Sequence, residues 1–485
     1  MRSRYTSYVV PLVCGGAAFT IYSLTAARTI STRYGGVDGA ELAAVALSGG
    51  VPHPSGYPTY MILARLLLLL PVGEPAWRLA LLSATSAALA AVVTTLLVAR
   101  AADRPTPLAG LTAGLLLALS PRLWSQAIIV EVYALALLWL ALCTLLILWW
   151  LHSARRRAVL SAALMLGLGL GVHLTLAALP PAAALAWLAT PRRPQLRLRL
   201  LPAVMLALLA GLSVYALLPI WAQRMVAPSW GDATTLAGFW AHVRGAEYAY
   251  LVGITPWSQR LARLSFVARD LLSQPGLYGL ILALGWGLAY GWREQRSLVV
   301  LSGVTALLSL AFALSYGGAD GTVYLLPWTW SWCVWAGLGV QALNSGERRA
   351  TRRGVTACLS LCLALTIGGQ LSRYPQLNLR ADLSERERVA AALSSLPPAA
   401  IVLTHADADT FGSWYMQRAF DLRSDVLVID RRLAGRPWYQ RQTLIRLAQP
   451  PDRELCAALR TTARPLYQWS APAQLIPASA ALLCP

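Results

Sequence analysis

The sequence predicts a mainly α, polytopic membrane protein of about 11 transmembrane helices, followed by a small C-terminal extracytoplasmic α/β domain. Three observations predict it. Of 485 residues, 57% are hydrophobic and only 13% are charged, against roughly 25% charge in an ordinary soluble domain. The apolar residues gather in runs near the length of membrane helices, each of which needs roughly 20. The net charge is +20, every basic residue is an arginine, and the arginines cluster in alternate loops. Disorder and an ordinary soluble enzyme are excluded by the composition, and nucleic-acid binding by the placement of the charge.

The spans read, in order, 8–27, 77–99, 105–121, 131–151, 158–171, 173–190, 200–221, 273–292, 297–315, 328–343 and 354–372. With the N-terminus cytoplasmic, one set of loops holds Arg2, Arg4, Arg100, Arg104 and Arg155 to Arg157. The same set holds Arg192, Arg193, Arg197, Arg199, Arg293, Arg296, Arg348, Arg349, Arg352 and Arg353. Only Asp103, Glu294 and Glu347 oppose these 17 arginines, whereas the opposite loops carry 10 arginines and eight acids. Cytoplasmic loops collect arginine and lysine, so the excess charge is an orientation signal. An odd number of spans then places the tail outside, giving a membrane domain over 1–372 and a tail over 373–485. The first apolar run has no small-residue cleavage site after it and reads as a retained helix.

Cys14, Cys143, Cys333, Cys358 and Cys362 fall within spans, where cysteine acts as a small hydrophobe. Cys456 and Cys484 share the exported tail, and whether they pair stays open. No Cys-x-x-Cys or His-x-x-x-His pattern suggests a metal centre, and the need for a divalent metal stays open.

The first outer loop, 28–76, is too long for a connector, and loops beyond about 12–15 residues are usually functional. It contains Asp38-Gly-Ala-Glu41 and then His53-Pro-Ser-Gly56-Tyr57-Pro58. Two readings of the acid pair stand. Asp38 caps a short helix and Glu41 completes a capping box, or the pair does general-base chemistry on a hydroxyl or amide at the membrane surface. The run 59–71 is too short to span and suits the interface.

In the tail, Ala400 to Thr404 and Asp425 to Asp430 read as buried strands joined by a crossover helix through Trp414 and Tyr415, a βαβ unit. Asp407 and Asp409 follow the first strand at its carboxyl end, the usual ligand side of such a sheet. They are candidates for an acceptor groove, or simply acids that cap the helix.

These strings resemble the opening signature of a polytopic family once known only as a domain of unknown function, whose members include a vertebrate O-mannosyltransferase acting on receptor immunoglobulin-like domains. The usual wording there is Asp-Ser-Gly-Glu and His-Pro-Pro-Gly-Tyr-Pro; this chain has Gly39-Ala40 and Ser55 at the variable places. Trp124-Ser-Gln126, Glu131-Val-Tyr133, Gly171-Val-His173, Trp230-Gly-Asp232, Phe239-Trp-Ala-His242, Tyr248, Asp320 and Tyr324-Leu-Leu-Pro327 extend the likeness. So do Asp407-Ala-Asp409, Trp414-Tyr415, Arg423-Ser-Asp425 and Trp438-Tyr439 in the tail. Where that family tends to carry Asn before its His, this chain has Val172.

The resemblance implies a GT-C fold and a glycosyltransferase drawing on a polyprenyl-phosphate hexose, with mannose favoured, and an exported protein or glycan as acceptor. Inversion needs one base, for which Asp38 is the candidate, with Glu41 positioning the acceptor or the base. The matched positions make His53, Tyr57, Trp124, Gln126, Glu131, Tyr133, His173, His242, Tyr248, Asp320 and Tyr324 candidates for substrate binding, and Arg244 joins them because an arginine fork suits a phosphate. The residues themselves allow plainer roles. Glu131 meets a helix N-terminus, where the dipole stabilises an acid. A carbonyl satisfies a buried His173 as well as a phosphate would, and Asp320 sits in a Gly-rich turn. The competing function is a lipid-linked-sugar flippase or secondary transporter. Transporters place ionisable residues near the midplane and show inverted repeats; here the spans are almost free of charge and no repeat is visible.

Overall fold

The computed structural model describes residues 2–101, 106–191, 193–195, 198–224, 226, 228–253, 255–318, 320–345, 349–470 and 474–483. Asp103, Arg104, Arg192, Arg197, Glu347, Arg348 and Cys484 lie outside the described residues, as do the side chains of Arg2, Arg4, Arg349 and Arg352.

Helix α1 (Arg2–Thr25) is followed by the short α2 (Asp38–Ser48) and α3 (Pro58–Leu68), then α4 (Pro75–Arg100). Next come α5 (Pro107–Ala118), α6 (Pro121–Ala127), α7 (Tyr133–Ser153), α8 (Arg156–Leu170), α9 (Leu179–Ala189), α10 (Leu201–Leu212) and α11 (Leu217–Ala222). Proline opens α3, α4, α5 and α6, where its fixed φ suits the first turn and its missing N–H costs nothing. The long loop after α11 carries α12 (Leu236–Val243). Then α13 (Trp257–Ser273) turns by 97° into Gly276–Glu294, which comprises α14 (Gly276–Leu282), a π-turn and α15 (Leu288–Glu294). The membrane part closes with α16 (Arg296–Ser315), α17 (Leu326–Ser345) and α18 (Arg349–Leu371).

Among the described residues, five helices are long and apolar enough to cross a membrane, or seven if the bent pairs α5–α6 and α13–α15 each count once. The four other expected spans are helical too, within α1, α8, Leu174–Ala189 and α17, but are shorter or less apolar. The pair expected at 158–171 and 173–190 is broken around His173 into Arg156–Leu170 and a segment starting at Leu174. Small residues let the helices approach closely: Ala80, Ala84, Ala87 and Ala91 of α4 are fully buried. Polar contacts then fix register, as where Trp330 Nε1 donates to Thr94 Oγ1 at 2.9 Å.

The tail begins with α19 (Tyr374–Leu377) and α20 (Ser384–Ser395) and continues as β1 (Ile401–Thr404), α21 (Asp407–Phe420) and β2 (Leu427–Asp430). It ends with α22 (Pro437–Arg446), α23 (Leu455–Thr461), β3 (Leu466–Ser470) and β4 (Gln474–Pro477). The strand order is β2-β1-β3-β4, with β1 parallel to both neighbours and β4 antiparallel. This is the expected βαβ unit, and β1 and β2 are wholly buried. Cys456 is disulfide-bonded.

The tail is bound tightly to the long loop between α1 and α4, for α21 packs along α2. Glu74 accepts from Tyr415 Oη at 2.7 Å and from Arg386 at 3.1 Å. The long loop between α11 and α13 is held as well, by Arg441–Asp232 at 2.6 Å and Arg436–Glu247 at 3.1 Å.

Candidate active site

Helix α2 starts at Asp38 itself, with Val37 as its cap residue and no side-chain capping bond. The capping-box reading of Glu41 therefore does not describe this helix. Glu41 is fully buried and turns toward the following loop, where Oε1 accepts the His53 N–H at 3.0 Å and Oε2 meets His53 Nδ1 at 2.9 Å. The opposite ring edge, His53 Nε2, lies 3.0 Å from Tyr57 Oη and 3.8 Å from Asp38 Oδ2. Tyr57 Oη donates onward to the Pro54 carbonyl at 3.3 Å, which leaves its lone pairs for an Nε2–H. Both ring nitrogens thus face acceptors, the arrangement of an imidazolium.

The charges agree with that geometry. Burial lowers the His53 pKa, but Glu41 and Asp38 outweigh it and carry it up to about 9. Asp38 is pushed up to about 6, by burial first, with His53 pulling it down and Glu41, Asp407 and Asp320 pushing it up. Its carboxylate is nevertheless 38% exposed while Glu41 is sealed, so Asp38 is the reachable member of the pair.

Two glycines make this approach possible. A Cβ on Gly39 would lie 2.6 Å from the Val130 carbonyl, so only glycine lets α2 press against the segment that bears Glu131. Gly56 has φ +87° and a Cβ there would strike Leu218 at 2.9 Å.

Five further chain segments converge on this end of the bundle. Glu131, between α6 and α7, is buried; Oε2 accepts from the Val132 N–H at 3.2 Å and Oε1 has no hydrogen-bond partner among the described residues. Burial and the Asp38 charge raise its pKa well above the usual carboxylate range. Tyr133 donates to Asp320 Oδ2 at 3.2 Å. An aromatic wall joins the segments: His173 stacks on Tyr57 at 6.0 Å and lies 5.4 Å from Tyr133 and 5.9 Å from Tyr324. Tyr248 meets the His53 ring edge-on at 6.1 Å. Asp407, from the tail, is close enough for its charge to act on both Asp38 and Tyr248.

Several expected residues have other places. Trp124 is fully buried in the helix core and donates to Thr25 at 3.0 Å, because its bent helix α6 points it inward. Gln126 donates to the Tyr34 carbonyl at 2.9 Å, bracing the start of the loop that leads to α2, and its Oε1 has no hydrogen-bond partner among the described residues. His242 is buried and bonded to the Pro52 carbonyl at 3.0 Å, and burial pushes its pKa down to about 4, so it holds the loop as a neutral ring. Arg244 is exposed at the end of α12. Asp409 pairs with Arg388 at 2.6 Å, away from the cluster. Sequence reasoning missed the Glu41–His53 bond, whose only signal is the separation of an acid and a histidine by a Gly/Pro-bounded turn. It also missed the packing of Trp230 against His53 at 6.1 Å. Among the described residues, no group of three or more His, Cys, Asp or Glu is arranged to hold a metal ion.

Comparison with known proteins bears on this arrangement. Residues 38–197 match the family model described as the protein O-mannosyl-transferase TMEM260 N-terminal domain, and residues 386–451 match TMEM260-associated domain 2. The mouse protein O-mannosyl-transferase TMEM260 is 29% identical over 444 residues, covering 86% of this chain and 62% of the mouse protein. The Dictyostelium discoideum protein of the same name is 24% identical, covering 87% of this chain and 57% of that one. The chain thus spans about six-tenths of the length of these relatives.

Among solved structures, ArnT from Cupriavidus metallidurans bound to undecaprenyl phosphate superposes with a TM-score of 0.55 at 14% identity, covering 88% of this chain and 91% of that one. The archaeal oligosaccharyltransferase AglB from Archaeoglobus fulgidus gives 0.51 at 10% identity, covering 98% and 74%. At such identities the likeness concerns the fold, and it is the fold of polytopic GT-C proteins. Over residues 38–197 and 386–451 the chain thus resembles the TMEM260 proteins, and its fold resembles that of polytopic GT-C enzymes.

Proposed function

We propose that the chain is an inverting membrane glycosyltransferase that moves a hexose from a polyprenyl-phosphate donor to a hydroxyl of an exported protein or glycan. The observation that carries this reading is the unequal acid pair: a reachable Asp38 whose buried neighbour Glu41 grips the histidine facing it. The names of the relatives favour mannose and a protein acceptor, and the undecaprenyl phosphate bound by ArnT favours the donor class.

Asp38 takes the acceptor hydroxyl proton as the oxygen attacks the anomeric carbon. The bond from that carbon to the phosphate oxygen breaks, and phosphate departs with its electron pair. A pKa near 6 suits the base, which is ionised at neutral pH yet more basic than an ordinary carboxylate. Glu41 is a positioning residue, acting through His53. The free Glu131 Oε1 is offered to a sugar hydroxyl, and the wall of Tyr57, Tyr133, His173 and Tyr324 to the faces of the sugar ring. Asp407 borders the acceptor side.

The site lies outside, with the N-terminus in the cytoplasm and the tail exported. The loop arginines favour this orientation, and a cysteine introduced beside Asp409 would then be labelled from outside only. The decisive experiment compares wild type with Asp38→Asn in liposomes holding a polyprenyl-phosphate mannose and an acceptor domain. Consumption of donor that depends on acceptor and falls about 10²–10⁴-fold in the variant supports the reading. Sugar crossing the bilayer without acceptor would establish transport instead.

A further inference from the structure

At the far end of α2, two arginines come together without a carboxylate. Arg65 of α3 donates from Nη2 to the Gly50 carbonyl at 2.6 Å and stacks its guanidinium 3.9 Å from the centre of the Trp221 ring. Its Nε is buried and has no hydrogen-bond partner among the described residues. Arg224, two residues beyond α11, brings Nη1 to 3.3 Å from where a Cβ on Gly49 would stand. Burial first, and then the Arg224 charge, push the Arg65 pKa down to about 10. No salt bridge among the described residues involves either side chain. The C-terminal dipole of α2 offsets part of this repulsion, but only about half a charge.

Position gives the missing anion its identity. The apolar span Leu198–Ala222 ends two residues before Arg224. Leu66, beside Arg65, is exposed, as are Leu69 and Leu70 just past the end of α3. The arginines therefore stand at a membrane boundary, with apolar surface beside them for acyl or prenyl tails. Helix α2 is 11 residues long, about 16 Å at the α-helical rise, so this place is distinct from the neighbourhood of Asp38 at its other end.

We propose that Arg65 and Arg224, with Trp221 as the platform, form a seat for the phosphate headgroup of a membrane lipid, separate from the centre where the sugar would be transferred. The guanidinium fork matches two phosphate oxygens, and the unused Arg65 Nε–H is half of such a fork. Two sources carry the same headgroup chemistry: a polyprenyl monophosphate, such as a spent carrier, and an anionic phospholipid.

Native mass spectrometry of the full chain in detergent tests this, titrating undecaprenyl phosphate, phosphatidylglycerol and inorganic phosphate in separate arms. Wild type should hold one lipid phosphate more firmly than Arg65→Gln/Arg224→Gln, with affinity lower by about tenfold or more in the double variant, since hydrogen bonds to charged groups are the strong ones. Arg224→Gln alone, at an exposed position, should lose part of that affinity, and it keeps the test open should the double variant misfold. The tighter of the two lipids identifies the source. Unchanged lipid retention in Arg224→Gln and the double variant, or inorganic phosphate binding as tightly as either lipid, overturns the proposal. No turnover is read, so a failure of the glycosyltransferase reading leaves this result standing.

Discussion

Helices α2 and α21 pack against each other, and each opens with two acids: Asp38 and Glu41 in one, Asp407 and Asp409 in the other. Their surroundings differ in a single respect, the counter-ion. In α21, Asp407 is gripped by Arg432, which also holds Asp430 at 2.6 Å, and Asp409 is gripped by Arg388 at 2.6 Å. Burial raises the Asp409 pKa, but Arg388 pulls the other way. In α2 neither acid pairs with a guanidinium among the described residues: Glu41 meets a histidine, and Asp38 meets that histidine and the fields of other acids. A carboxylate held by arginine has its lone pairs spent, whereas one facing an imidazolium across 3.8 Å keeps them available. Two acids in the first turn of a helix can therefore serve as the proposed base in one helix and as a bracket in the other.

The comparison breaks first, if it breaks, on the two leading aspartates. Asp38→Asn should lower kcat about 10²–10⁴-fold, the usual size of a general-base contribution. Asp407→Asn should change kcat by less than about threefold and act on the acceptor KM instead, because rim charges chiefly affect encounter. Equal losses in kcat for the two variants would erase the distinction.

Glu41→Gln comes next. It keeps the shape but removes the anion that holds His53, so kcat should fall about tenfold to a hundredfold, less than for the base itself. Since Glu41 acts through His53, adding His53→Gln to Glu41→Gln should cost little more, the non-additivity of groups that act as a unit. Fully multiplicative losses would mean independent roles.

The pH profile sharpens the picture. The acid limb of kcat/KM should lie near 6, where protonation of Asp38 removes the base as pH falls. The alkaline limb should lie near 9, where His53 loses its proton as pH rises. In Glu41→Gln the alkaline limb should move to lower pH, because the anion that raises the His53 pKa is gone, while the acid limb persists. An alkaline limb that stays near 9 in this variant would assign it to another group.

Much of the fold was legible because hydrophobic run length and arginine placement act locally. The βαβ unit of the tail was legible for the same reason, with Ile401–Thr404 and Leu427–Asp430 flanking a helix within two residues of the expected bounds. The cluster around Asp38 is different, since His173, Tyr324 and Asp407 reach it from segments more than a hundred residues away. Periodicity says nothing about which loops meet; His173 and Tyr324 came through resemblance, and Asp407 through its place at the end of a strand as well. Glu41 was ambiguous because i,i+3 spacing serves a capping box as well as an inward-facing acid. Close packing at Gly39 and the return of the chain at His53 decide between them. Arg65 was hidden inside an apolar run that reads as interfacial, and only folding places Arg224 beside it.

The smallest expected effect concerns the bracket. Asp409 is 15% exposed at its side chain, and its Arg388 partner also grips Glu385 at 2.7 Å. Asp409→Asn keeps a hydrogen-bond acceptor for Arg388 and leaves that arginine its other carboxylate, so no buried charge is stranded. The loss should then be about 1 kcal/mol, near the upper end for pairs reached by solvent and well short of the 3–5 kcal/mol of a buried pair that loses one partner. Thermal unfolding of the detergent-solubilised chain reads this as a small drop in Tm, with kcat per folded molecule unchanged. Adding salt should narrow the gap between wild type and variant, because screening weakens the pair that only the wild type has. A loss of turnover in Asp409→Asn with normal Tm would show that the second acid of α21 also serves the site, and that an arginine partner does not by itself take a carboxylate out of the chemistry.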